Sequence, residues 1–97
     1  MGKPLFDLGR TLATPGALAA LETAGVSPAS LLSRHVTGDW GTLSQGDKRA
    51  NDEALTYGSR ILSAYLLPTK VKVWLITEAT DDEGRRAATT ILLPEEY

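Results

Sequence analysis

The hydrophobic period of this chain changes from helical to alternating at Gly58, and that change limits the folds open to it. Upstream, three segments carry helix punctuation. Thr14-Pro15 reads as an N-cap followed by the first helical position, and Gly25 as the stop. Between them, Ala17, Leu18 and Leu21 make the apolar stripe of a short helix. Ser27-Pro28 repeats the start signal; Leu31, Leu32, His35 and Val36 share one face, and Gly38 ends the segment. Ser44-Gln45-Gly46-Asp47 resembles a capping box, with Asp47 near the positive helix end. Asn51, Ala54 and Leu55 follow on one face, up to Gly58.

Beyond Gly58 the residues suit a pleated surface. Ile61–Leu67 and Val71–Thr77 are rich in β-branched, aromatic and leucine residues, and Pro68-Thr69-Lys70 between them is a hairpin signal. Val71, Val73, Leu75 and Thr77 form the cleaner core face, opposite Lys72, Trp74, Ile76 and Glu78. Thr89–Leu93 adds a strand after the polar Thr80–Arg86 loop, and Pro94 stops it. Before the helices, Leu5–Ala13 alternates as a half-buried strand that joins the sheet edge. A strand, three helices and a three-stranded meander predict one α+β domain over residues 1–97. Its antiparallel sheet has three to four strands, with about three helices packed on one face.

Ten basic and twelve acidic residues leave a net charge of −2, which disfavours nucleic acid as a partner. The chain has no cysteine, so disulfides, thiolate metal sites and cysteine nucleophiles are excluded, as fits a reducing cytoplasm. No apolar run approaches the roughly 20 residues that span a bilayer, so no membrane association is expected. No cofactor motif or metal-ligand set is legible.

Two groups of residues invite a functional reading. The first is polar: His35 and Asp39 lie four apart around Gly38, with Asp47 and Asn51 one turn apart on the third helix. An imidazole oriented by a carboxylate is a candidate acid–base pair, but no nucleophile accompanies it. The structural reading is a packed histidine, an aspartate capping the next turn, and Asp47 and Asn51 bonding the neighbouring Gly38–Gly41 corner. The second group consists of candidate partner contacts: Trp40, Trp74 and the tail Glu95-Glu96-Tyr97. Trp40 between glycines also suits a core plug. The Asp81-Asp82-Glu83 run lacks the alternating ligands of a calcium loop and reads as a solvated tip.

The strings ATPGAL (13–18), LLSRHVTGDWG (31–41), RILSAY (60–65), WLITEA (74–79) and TTILLPEEY (89–97), with Asp47 and Asn51, carry a resemblance over nearly the whole chain. It is to a family of small bacterial proteins of unknown function, frequent on plasmids and integrated mobile elements. The Asp81–Arg86 loop is longer than the family pattern. Family members are often labelled type I restriction endonuclease subunit M. A modification subunit needs a doubly wound sheet, a glycine-rich turn and a pocket for a flipped base. No strand here leads into such a turn, and neither Asn-Pro-Pro nor Asp-Pro-Pro occurs. The resemblance therefore implies a setting, an accessory protein of mobile elements, rather than methyl transfer.

The reading that follows is a non-catalytic domain that binds an unidentified protein, for example occupying the basic groove of a defence or DNA-processing enzyme. Two alternatives stand beside it. One is a small barnase-like or toxin-type ribonuclease using His35, Glu78, Arg60 and Lys72. The other is a homodimer that pairs exposed strand edges.

Overall fold

The computed structural model describes residues 2–97, which form three helices and a four-stranded sheet. The helix signals act as read. The Thr14 hydroxyl accepts the Ala17 N–H at 3.1 Å and starts α1 (Pro15–Ala24). The Ser27 hydroxyl accepts from Ser30 and starts α2 (Pro28–Val36). The Ser44 hydroxyl accepts from Asp47 at 3.2 Å and starts α3 (Gln45–Tyr57). Leu18 departs from its expected role. At 47% exposed it sits off the buried stripe, which narrows to Ala17 and Leu21.

The strands are β1 (Arg10–Ala13), β2 (Ile61–Leu66), β3 (Lys72–Thr77) and β4 (Ala88–Leu92), in the order β1-β4-β3-β2. A turn of 3-10 helix, Pro94–Glu96, ends the chain. The sheet is mixed rather than antiparallel throughout. Connections within one run of chain make β2–β3 and β3–β4 antiparallel, whereas β1 pairs with β4 in parallel. No tight turn joins those two strands, so nothing local imposes the antiparallel sense.

The expected Leu5–Ala13 strand is shorter than its alternation implied. Gly9 takes φ 64°, and only Arg10 onward joins the sheet. The preceding residues serve packing instead: Leu5 N–H donates to the Val36 carbonyl, and Phe6 inserts beside His35 and Trp40.

Two apolar clusters fill the space between the helices and one sheet face. Ala17, Leu21 and Leu31 from α1 and α2 meet Tyr65, Leu67, Val73, Leu75 and Ile91. Trp40, Ala54 and Ile61 form the second cluster, joined by Phe6, Leu43 and Leu55. In the β3 strand, Val73, Leu75 and Thr77 turn to this side, as the alternation predicted, whereas Val71, expected on the same face, precedes the strand and is 39% exposed.

β2 lies at a sheet edge, yet two of its outward-facing residues are occupied. Asn51 donates from Nδ2 to the Leu62 carbonyl at 2.6 Å, and its Oδ1 accepts the Leu62 N–H at 3.1 Å. Ala64 exchanges bonds with the preceding loop, donating to the Trp40 carbonyl and accepting from Thr42 N–H at 2.7 Å. A second copy cannot add a strand across residues 62–64, which removes that edge from the homodimer reading. Asn51→Ala is expected to lower the unfolding free energy by about 2–3 kcal/mol, because it strands a backbone donor and acceptor. Urea denaturation gives the loss, and light scattering should show self-association through the uncovered edge.

Candidate functional site

Helices cover one face of the sheet, and strand register decides what the other presents. Leu62, Ile76, Thr90 and Leu12 align in a row across all four strands. A second row contains Ala64, Trp74 and Leu92. Leu12 and Leu66 are exposed, and Leu62, Trp74 and Thr90 are half-buried. Here lie two of the expected contact residues. Tyr97 folds back so that its ring meets Trp74 edge-on, with centroids 5.8 Å apart. The Arg60 guanidinium lies 5.4 Å over the Tyr97 ring and donates to its hydroxyl.

The terminal turn is anchored by Glu96, whose Oε1 accepts from the Thr14 hydroxyl at 2.6 Å and from Leu93 N–H at 2.8 Å. These bonds hold its carboxyl below the usual carboxylate range. Glu95 is exposed beside it. Arg60, Ile76, Glu78, Thr90, Leu92 and Tyr97 together line a cavity of about 330 Å³ on this face. The floor is apolar and the walls carry one cation, one anion and an aromatic ring. Trp74 and Tyr97 are legible in the sequence but this cavity is not, because Arg60 and Thr90 reach it only through strand register.

Trp40, expected as a partner contact, does not lie on the open face. It is 5% exposed, stacked on Phe6, with its Nε1 directed to Asp52 at 3.3 Å. A ring so enclosed offers no area to a partner, so it acts as the core plug.

The polar group around His35 resolves into separate structural tasks. His35 is 0% exposed, and its partners are hydroxyls from the sheet: Ser63 Oγ at 2.5 Å from Nδ1 and Thr77 Oγ1 at 2.8 Å from Nε2. Proton counting sets the direction. Thr89 spends its hydroxyl proton on the Leu8 carbonyl at 2.8 Å, so Thr77 donates to Thr89. Thr77 therefore accepts from His35 Nε2–H, which leaves Nδ1 to accept from Ser63. One chain of hydrogen bonds runs from Ser63 through a neutral imidazole to a backbone carbonyl. Burial lowers the imidazole pKa to about 4.

Asp39 does not orient that ring. Its Oδ2 takes Arg34 Nε at 2.6 Å and its Oδ1 caps Gly41 N–H at 3.2 Å. The ion pair holds the Asp39 carboxyl low and is half exposed, so it adds little stability. The Tyr65 hydroxyl donates to the Asp39 carbonyl at 2.6 Å, and burial pushes it up to about 12. Asp47 is exposed at the start of α3. Asn51 bonds β2 rather than the Gly38–Gly41 corner.

Arg86 is the residue that sequence reading missed. It stands at the end of a polar loop, yet it is only 6% exposed. Its Nη1 donates to the carbonyls of Ser59 (2.7 Å) and Glu78 (2.9 Å), and its Nη2 to that of Ala54 (3.1 Å), at the negative end of α3. Among the described residues, no group of three or more histidine, aspartate or glutamate side chains is placed to hold a metal. No described helix is long and apolar enough to cross a membrane.

Protein-family models, curated proteins and solved structures return no match to this chain.

The four residues of the ribonuclease reading do not assemble. Register sets Lys72 on the open face with Glu78 and Arg60, whereas His35 lies buried behind the sheet. An acid–base group must reach the proton it moves, and this imidazole is walled off by Phe6, Trp40 and the strands.

Proposed function

We propose that this protein is a cytoplasmic, non-catalytic binding module that docks another protein on the open face of its sheet. The observation that carries the reading is the cross-strand row Leu62, Ile76, Thr90 and Leu12, in which Leu12 is exposed, Leu62 and Thr90 are half-buried and Ile76 is buried, beside the Trp74–Tyr97 pair. Contiguous apolar surface of this kind, rimmed by charge, is what a partner covers. Arg10, Arg60 and Lys72 are balanced around it by Glu78, Glu95 and Glu96, and the chain is acidic overall. That balance favours a protein surface over a phosphate backbone. The resemblance to proteins of plasmids and integrated elements supplies the setting: an accessory factor acting on a defence or DNA-processing enzyme.

Site-specific crosslinking in the host cell tests this reading. A photoreactive residue at Thr90 should capture a protein adduct, whereas one at the exposed Glu22 on the helical side should not. Trp74→Ala removes the aromatic anchor and should weaken the captured complex tenfold or more, as loss of a hot-spot residue does. Crosslinks from Glu22 alone would move the interface to the helices.

A further inference from the structure

A guanidinium has five N–H donors. Arg86 places three on carbonyls and, among the described residues, none on a carboxylate. The two ion pairs of the described residues are Arg34–Asp39 and Arg85–Glu83. The buried charge of Arg86 thus rests on carbonyl dipoles and on the Phe6 ring, 5.8 Å from its Cζ. Two donors remain, one on Nε and one on Nη2. Enclosed side-chain nitrogens without a partner are absent among the described residues, so Nε reaches solvent. Arg86 lines a cavity of about 360 Å³, walled by Phe6, Leu55, Tyr57, Thr80 and Asp7.

We infer that this cavity is a binding site for a small aromatic carboxylate, whose carboxylate takes the free donors of Arg86 while its ring lies along Phe6 and Leu55. The site is separate from the open sheet face. Its volume is in the range of small-ligand pockets. A buried arginine that lacks an anion is an incomplete pair, and a carboxylate completes it with charge-assisted hydrogen bonds. The charge count selects among anions. The cavity holds one cation, and the Asp7 carboxylate also lines it, so a bound monoanion leaves an excess of one negative charge where a dianionic phosphate leaves two. Phe6 and Leu55 add apolar wall that inorganic anions do not use.

Titration of the protein with phenylacetate, followed by the Arg86 Nε–H resonance, tests the site. A saturable shift is expected in the millimolar range, with phenylacetamide and inorganic phosphate at least tenfold weaker. Asp7→Asn removes the like charge from the wall and should tighten phenylacetate severalfold. This exposed substitution leaves the Arg86 carbonyl bonds in place. Arg86→Lys should lose the shift of the neighbouring Phe6 ring protons, with the fold checked by the remaining spectrum. Equal binding of phenylacetamide, no saturation, or no gain from Asp7→Asn would overturn the assignment.

Discussion

His35→Asn is expected to flatten the acid dependence of stability and to cost several kcal/mol at neutral pH. Above the unfolded pKa of 6.5 the imidazole is neutral in both states, and the hydrogen-bond chain through it is intact. As pH falls, the unfolded chain takes up a proton that the folded chain refuses until about pH 4. Stability is therefore present above pH 6.5 and lost on the way to pH 4, at about 1.4 kcal/mol per pH unit. The wild type should lose about 2 kcal/mol between pH 7 and pH 5 on this account. Asp39, whose carboxyl is held low by Arg34, titrates below that window. Urea unfolding at the two pH values checks both parts. An unchanged slope in His35→Asn would show that another group controls the acid response. At pH 7 the substitution leaves Ser63 and Thr77 without matched partners and a gap beside Phe6 and Trp40, for about 3–4 kcal/mol.

Gly41→Ala is expected to be similarly damaging, by about 3–5 kcal/mol. Gly41 adopts φ 78°, and a Cβ there would run into the Ala64 carbonyl and meet the Tyr65 ring at 2.8 Å. The loop lies flat on β2 and trades backbone bonds with Ala64 on both sides of that glycine. A methyl group lifts it away and uncovers the edge. Gly25 provides the control, since it has φ 69° but nothing within 4 Å of an added Cβ. Gly25→Ala should cost only the conformational term of about 1 kcal/mol. Thermal unfolding of the two variants separates crowding from backbone strain. Equal losses would show that the close approach at Ala64 is relieved without penalty.

The open sheet face and the buried histidine chain are legible to different extents. Trp74 faces away from the core because the Val73, Leu75, Thr77 alternation claims the other side. The tail was visible as an acidic end with an aromatic. That Tyr97 lies on Trp74 depends on Glu96 bonding Thr14, 82 residues away in sequence. His35 offered less. Its helical face predicted burial, but its partners stand 28 and 42 residues downstream, and both are hydroxyls that any strand could carry. Asp39, four residues away, was the nearer candidate and turned to Arg34 instead.

Local chemistry in the chain determined the three helices, their caps, the hairpin and which face of β3 is buried. Each rests on residues within a few positions of one another, where capping hydroxyls and side-chain period act directly. Tertiary structure alone decided that β1 runs parallel to β4, that Asn51 completes the β2 edge, and that Arg86 is buried against carbonyls. Those outcomes depend on groups brought together from distant positions. A guanidinium or amide has no preference for a particular partner until packing excludes water and leaves it only the acceptors that are near.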